Sequence, residues 1–295
     1  MSAALSLPSP AGSVTEESRA VLRKHGRSFA LAGVFLPSDQ LDDAAVAYAF
    51  CRLVDDVVDE APDAATARRD VTRVRAELSG EVPARPVVAA YVEMASRRGF
   101  PLQVAHDLIE GCVSDLGAVR VADDDELALY CYRVAGTVGL MMSGIMGVRD
   151  PASVGPAKAL GEAMQLTNIC RDVLEDTRRD RCYLPDTRLR AVGASADAVV
   201  DGTAPRDAVH HVVDTLLDHA EAKYREAWRG MHFIPWRPRL AIHIALRVYR
   251  QIGVRLRRVH GGDPLHGRTV VPTWERLLMV GRGVLDQLLG APGGR

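Results

Sequence analysis

Two short stretches of the 295-residue chain concentrate carboxylates at helical spacing. One is Tyr48-Ala-Phe-Cys-Arg52-Leu-Val-Asp55-Asp56-Val-Val-Asp59; the other is Gln165-Leu-Thr-Asn168-Ile-Cys-Arg171-Asp172-Val-Leu-Glu175-Asp176. A helix turns about 100° per residue, so Tyr48, Arg52, Asp55 and Asp59 share one face, and Gln165, Asn168, Asp172 and Asp176 share another. Carboxylates one turn apart repel by about 0.2–0.5 kcal/mol in water. They repel more beside the interleaved valines, unless a cation compensates. Hard oxygen ligands in this pattern suit Mg²⁺, which keeps part of its water and shares its shell with substrate phosphates. Asn168 adds a neutral oxygen one turn before Asp172, and Arg52 and Arg171 offer planar donors to phosphate oxygens. Metal-assisted handling of a diphosphate is the chemistry these residues could do. A solvated acidic face explains either stretch alone, but two stretches, each with its own arginine, favour a site.

Other chemistries lack their residues. The loop spacing and central glycine of an EF-hand are missing, as is a P-loop. Gly139, Gly144 and Gly147 sit inside a helical pattern and do not make a dinucleotide fingerprint. A net charge of −1 and 5% aromatic residues exclude a basic or stacking nucleic-acid surface, so no nucleic-acid partner is expected. The five cysteines, Cys51, Cys112, Cys131, Cys170 and Cys182, form no CxxC pair and read as reduced, buried thiols. Residues 1–20 carry neither a signal nor a transit pattern, and no apolar run is long enough to span a bilayer, so a cytoplasmic protein is expected.

Almost every segment that could position these residues has helical period. Apolar residues recur at three- and four-residue intervals over Val14–Val34, Leu41–Val58, Val71–Leu78, Val87–Met94 and Val104–Leu116. The pattern resumes over Leu127–Met146, Ala157–Leu174, Ala208–Trp228, Leu240–Leu256 and Trp274–Leu289. Breakers such as Gly99-Phe100-Pro101, Arg149-Asp150-Pro151 and Gly261-Gly-Asp-Pro264 lie between them. This predicts an all-α domain of about ten helices over residues 14–290, without strands, and with frayed tails at 1–13 and 291–295.

The two carboxylate stretches, together with Tyr130-Cys-Tyr-Arg-Val-Ala-Gly136-Thr-Val-Gly139 and Arg181-Cys-Tyr183-Leu-Pro185, resemble the signatures of the squalene and phytoene synthase family. The resemblance runs in order from about His25 to Tyr249. It implies a single-domain isoprenoid-synthase-type helical bundle with a central cavity. It also implies a prenyltransferase that joins two prenyl diphosphates head to head through a cyclopropyl diphosphate. By that resemblance Asp55, Asp59, Asn168, Asp172 and Asp176 hold Mg²⁺, with Mn²⁺ able to substitute. Asp55, Asp59, Asp172, Asp176 and Tyr130 are catalytic. His25, Arg27, Ser28, Phe29, Gly33, Tyr48, Arg52, Gln165, Arg171, Tyr183 and Tyr249 bind substrate. Two positions depart from the family's pattern: Asp180 stands where a glycine is common, and Cys170 where an aliphatic residue is usual.

Within the family, Gly33 and its small neighbours Ala30 and Ala32 leave depth for a long chain, and Tyr249-Arg-Gln-Ile-Gly253 resembles the bacterial phytoene synthases. The expected substrate is therefore geranylgeranyl diphosphate, the product 15-cis-phytoene, and NADPH is not required. A farnesyl-using sibling, making dehydrosqualene, presqualene diphosphate or squalene, is the alternative; a non-catalytic metal-binding helical scaffold is a further one. Met141, Met142 and Met146 read as core or as a prenyl tunnel. Arg247, Arg250, Arg255, Arg257 and Arg258 on one helix read as a solvated face, a diphosphate rim or a peripheral membrane contact. A carotenoid desaturase is the expected downstream partner.

Overall fold

Glycine and proline punctuate the chain more finely than its apolar period suggests. The computed structural model describes residues 11–289, apart from the side chains of 11–13, 27, 28 and 260, and contains fifteen α-helices among them rather than about ten. Of the tails expected at 1–13 and 291–295, residues 1–10 and 291–295 lie outside the described residues, while 11–13 open the first helix rather than fray. The predicted Val14–Val34 run is split by Gly26 into α1 (Ala11–His25) and α2 (Arg27–Gly33). A Cβ at Gly26 would sit 3.0–3.1 Å from Leu22 and Tyr48, so a side chain there would press on both where the two helices turn. α3 (Ser38–Asp59) carries the first carboxylate motif. α4 (Ala64–Ser79) begins at an Asp63 cap that accepts from the Thr66 N–H at 2.7 Å and ends at left-handed Gly80. α5 (Pro86–Arg98) and α6 (Gln103–Val113) complete the first half.

In the second half α7 (Asp124–Cys131) passes through a π-helical turn, Tyr132–Gly136, into α8 (Thr137–Ile145). α9 (Val154–Arg171) breaks at Asp172 before α10 (Val173–Thr177), although the Asp172 N–H still reaches the Asn168 carbonyl at 2.9 Å. The short α11 (Asp186–Ala191) and α12 (Ala196–Val200) precede three long helices, α13 (Arg206–Arg229), α14 (Trp236–Leu256) and α15 (Thr273–Leu289).

Two apolar clusters hold the bundle. Phe50, Tyr91, Leu108, Ile109 and Ile145 join α3, α5, α6 and α8, with the Phe50 and Tyr91 rings stacked at 4.0 Å. Ala163, Leu166, Val209, Leu216 and Ile244 join α9, α13 and α14. Each valine, leucine, isoleucine or phenylalanine among them, fully buried, contributes about 1.5–3 kcal/mol. Between the clusters the backbones of the α7–α8 segment and α9 nearly touch. A Cβ on Gly139 would lie 2.1 Å from the Ala157 oxygen, and one on Gly161 would lie 2.0 Å from the Ala135 oxygen. The glycines that failed as a nucleotide motif include one of the two that permit this contact.

Strands were not expected, yet two exist: β1 (Val119–Arg120) pairs in parallel with β2 (Arg181–Cys182), Val119 opposite Arg181 and Arg120 opposite Cys182. Two residues are too short to show a period. The pairing fixes the chain immediately after the second carboxylate motif. Asp180, just before β2, adopts φ 58°, the only positive φ of a non-glycine residue among those described. The position thus needs the left-handed backbone that a glycine accepts freely. Arg120 offsets the strain by bonding the Asp180 carboxylate at 2.6 Å and its carbonyl at 2.7 Å. Asp180→Ala, which keeps the strain and loses the carboxylate, should lower unfolding free energy by about 1–2 kcal/mol. Asp180→Gly should cost less than half of that. Urea melts of the three proteins test this, and equal losses for Ala and Gly would contradict it.

Candidate active site

A cavity of about 320 Å³ runs between α2, α3, α8, α9 and α14. Its lining extends along α3 from Leu41 to Asp55 and along α9 from Pro156 to Asn168, about 21 and 18 Å at helical rise. Most of the wall is apolar: Leu41, Ala44, Val138, Met142, Met146, Leu160, Ile234 and Ile242 among others. Polar groups gather at one end, where Asp55, Gln165, Asn168, Tyr48 and Tyr249 meet. There the Phe29 ring lies 5.4 Å from that of Tyr249 and 6.3 Å from that of Tyr48. Gly33 lines the wall, and a Cβ on it would come 3.0 Å from Leu41 Cδ1.

Asp59, Asp172 and Asp176 stand beside this mouth rather than on the cavity wall. The two motifs are tied by arginines that follow the second one. Arg179 Nη1 donates to Asp59 Oδ2 at 3.0 Å, and Arg181 Nη2 donates to Asp59 Oδ1 at 2.9 Å and to the Asp115 carbonyl at 3.0 Å. Arg171 closes on the Asp172 carboxylate with two hydrogen bonds, and Arg268 Nε lies 3.2 Å from Asp172 Oδ1. Arg52 pairs with Asp56, one turn on. Asp115 accepts from the hydroxyls of Tyr183 at 2.7 Å and Tyr130 at 3.0 Å, and those two rings stack at 4.7 Å.

The structure therefore brings together Phe29, Gly33, Tyr48, Asp55, Gln165, Asn168 and Tyr249 on the cavity, with Arg52, Asp59, Tyr130, Arg171, Asp172, Asp176 and Tyr183 at or beside its mouth. His25 is exposed at the end of α1. The side chains of Arg27 and Ser28 lie outside the described residues. Asp115, Arg179 and Arg268 were missed, because each meets the mouth only through tertiary contact. Arg181 was visible in the Arg-x-Tyr-Leu-Pro segment but had no role until its bond to Asp59 was seen. Two readings are corrected. Four of the five arginines read as a solvated face, rim or membrane contact are not free: Arg247, Arg250, Arg255 and Arg257 are engaged by Asp286, Glu221, Glu275, and Asp214 with Asp218, while Arg258 is exposed. The facing helices carry the acids that a single-helix reading cannot see. The second motif also spans two helices rather than one, with Asp172 at the break.

Electrostatics at the mouth call for a cation. Burial raises the Asp55 carboxyl to about 6, helped by Asp59 and Asp56 and opposed by Arg52 and by the Cys112 thiol, which donates to it at 3.3 Å. Burial, and then repulsion from Asp172, raises Asp176 to about 7. Asp115 is also raised, chiefly by burial. Asn168 Oδ1 is buried and accepts no hydrogen bond, although its amide donates to Gln165 at 3.3 Å. Oxygen donors that are buried, mutually repelling or without a donor fit a hard dication. Among the described residues no three acidic, His or Cys side chains form a closed cage. Mg²⁺ does not need one, since water and phosphate complete its shell.

A charged, metal-fitting mouth on an apolar tunnel inside a helical bundle defines a class: proteins that grip a polar head group and bury a hydrocarbon tail. Residues 22–275 match the squalene/phytoene synthase family model, and the chain belongs to that family. It is 42% identical over 242 residues to the 15-cis-phytoene synthase of a Paracoccus species, covering 79% of this chain and 78% of the relative. It is 36% identical to the phytoene synthase of Thermus thermophilus over 90% of each chain. A dehydrosqualene synthase solved with a ligand superposes with a TM-score of 0.85 at 27% identity, covering 95% of this chain and 98% of that one. A squalene synthase from Alicyclobacillus acidocaldarius superposes with a TM-score of 0.73 at 27% identity, over 85% and 96%.

The raised carboxyls set a sign for pH dependence. Each binds its proton more tightly folded than unfolded, so each contributes stability below pH 4 that is lost as pH rises through about 6 and 7. In chelator the thermal midpoint should fall by a few degrees between pH 5.5 and 7.5, and Mg²⁺ at pH 7.5 should restore it. Asp176→Asn should flatten the chelator profile. A profile unchanged by that substitution would refute the assignment of Asp176.

Proposed function

We propose that this chain is a 15-cis-phytoene synthase, condensing two geranylgeranyl diphosphates with release of both diphosphates. The observation that carries this is the long apolar tunnel ending in Asp55, Asn168 and the arginine-bridged carboxylates. Asp55, Asp59, Asn168, Asp172 and Asp176 would hold Mg²⁺, which when bound neutralises the diphosphate oxygens and makes them a better leaving group. Arg52 and Arg171, now on Asp56 and Asp172, are close enough to the mouth to exchange those partners for phosphate oxygens.

Once the first C–O bond breaks, the allylic cation lies beside the faces of Phe29, Tyr48 and Tyr249, which favour positive charge. The apolar wall keeps out the water that would quench it. Attack by the second substrate's double bond closes a cyclopropane with loss of a proton. Departure of the second diphosphate, rearrangement and loss of a second proton then give a forty-carbon polyene with a conjugated triene at its centre. The atoms balance without a reductant. Tyr130 and Tyr183 donate to Asp115 and so steady the Arg181 segment that holds Asp59. Gly33, with Ala44 and Ala47, keeps the wall thin where a longer tail must lie. The farnesyl-using alternative is favoured by the dehydrosqualene synthase and squalene synthase superpositions.

Incubation with Mg²⁺ and geranylgeranyl diphosphate, without NADPH, should yield a forty-carbon hydrocarbon with a conjugated triene core by chromatography and two diphosphates per product. A thirty-carbon product from farnesyl diphosphate only, or a cyclopropyl diphosphate as end product, would sink the proposal. Asp55→Asn and Asp172→Asn should each lower kcat by roughly 10²-fold or more. Gly33→Phe should cut kcat/KM for geranylgeranyl diphosphate at least about tenfold more than for farnesyl diphosphate. Equal losses on both substrates would remove Gly33 from chain-length control.

A further inference from the structure

α15 carries its polarity reversed. Its two acids are buried against α14: Glu275 accepts from Arg255 at 2.5 Å and Gln251 at 3.0 Å, and Asp286 accepts from Arg247 at 2.6 and 2.8 Å. Gly283 lets the helix close on Ile244, whose Cγ1 would lie 2.9 Å from an added Cβ. The outward face is apolar. Trp274, Leu277, Leu278, Leu285, Leu288 and Leu289 are 49–74% exposed, and their spacing makes one stripe about 22 Å long. A surface helix normally turns the opposite face to water.

Three features point to one occupant. Trp236, 62% exposed at the start of α14, flanks the far end of the stripe, because its carbonyl accepts from Gln287 at 3.0 Å. Tryptophans thus stand at both ends, the placement favoured at a lipid–water boundary. Two exposed cations adjoin these residues in sequence, Arg282 on α15 and Arg237 next to Trp236, while both acids of α15 are turned inward. No helix among the described residues is long and apolar enough to cross a membrane. A two-fold copy packed on this face would set Arg282, next to the middle of α15, against its own counterpart with no acid to offset it.

We propose that α15 and Trp236 form a docking face that lies in the plane of an anionic lipid bilayer, with the leucines in the acyl boundary and Arg237 and Arg282 at the headgroups. Ile234, two residues before Trp236, lines the cavity, so the docked edge adjoins the end of the tunnel lined by Ile234 and Ile242. The inference rests on the exposed face and is independent of the reaction assigned to the site.

The test is flotation of the full chain, without substrate, on phosphatidylcholine vesicles with and without one third phosphatidylglycerol, read alongside tryptophan emission. The chain should float with the anionic vesicles and its emission should shift to the blue. The double variant L277E/L285E should float about tenfold less, with diphosphate release from detergent-dispersed substrate and far-ultraviolet circular dichroism unchanged. W236S/W274S, a second variant, should lose most of the blue shift. Absence of flotation, flotation of L277E/L285E equal to that of the unaltered chain, or a dimer in light scattering that L277E/L285E dissolves would each overturn the proposal, the last by assigning the face to a second copy.

Discussion

Negative charge crowded at the end of an apolar tunnel is the constraint on which the rest of the structure depends. Asp55, Asp59, Asp115, Asp172 and Asp176 gather where α3 and α9 end, and helix C-termini already carry partial negative charge. Water would screen such a cluster, but the tunnel wall excludes much of it. The protein responds with arginines drawn from separate elements: Arg52 on α3, Arg171 on α9, Arg179 and Arg181 after α10, and Arg268 before α15. The compensation is incomplete, as the raised Asp55 and Asp176 carboxyls show. What remains is a standing demand for a divalent cation and a place for anionic oxygens among the guanidiniums. Binding of metal and diphosphate satisfies both demands together.

The tunnel depends on contacts of another kind. Gly139 and Gly161 let two backbones come within touching distance, and the π-helical turn at Tyr132–Gly136 sits in that crossing. One residue more than an α-turn needs is accommodated there, a device often found beside functional sites. It turns Val134, Ala135 and Val138 to the tunnel while Tyr130, one turn earlier, reaches Asp115. Wall and mouth are therefore coupled through one helix, and a substitution at Gly161 would disturb both.

Much of the site was legible because helical periodicity is local. Tyr48, Asp55, Gln165 and Asn168 could be placed on common faces from spacing alone, and they share the cavity. Asp180 was also informative: an acid where glycine is usual marked the single left-handed non-glycine turn among the described residues. What sequence could not show is which remote groups meet. Asp115 falls at the end of an apolar run, past the last turn of α6, Arg268 sits in a segment with no period, and β1 and β2 are two residues each. A charge run on a helix says nothing about its partners, so Arg247, Arg250 and Arg255 looked free although the acids that bind them lie on α13 and α15. Helix ends failed for a related reason, since Gly26 and Asp172 interrupt apolar patterns that continue across them.

α14 shows how these constraints combine. One of its faces, Ala241, Ile242, Ala245 and Tyr249, is tunnel wall. Another, Arg247, Gln251 and Arg255, holds α15 through Asp286 and Glu275. Losing the arginine of either pair would leave a buried carboxylate without its counter-charge, which is destabilising. Two such pairs, one near each end of α15, make it a fixed strut rather than a lid. The tunnel wall is thereby braced from behind, and it need not open to one side when a long hydrocarbon fills it. The same anchoring explains why the leucines of α15 cannot turn inward to escape water: to bury them, the helix would have to expose Glu275 and Asp286 and leave Arg247 and Arg255 without partners.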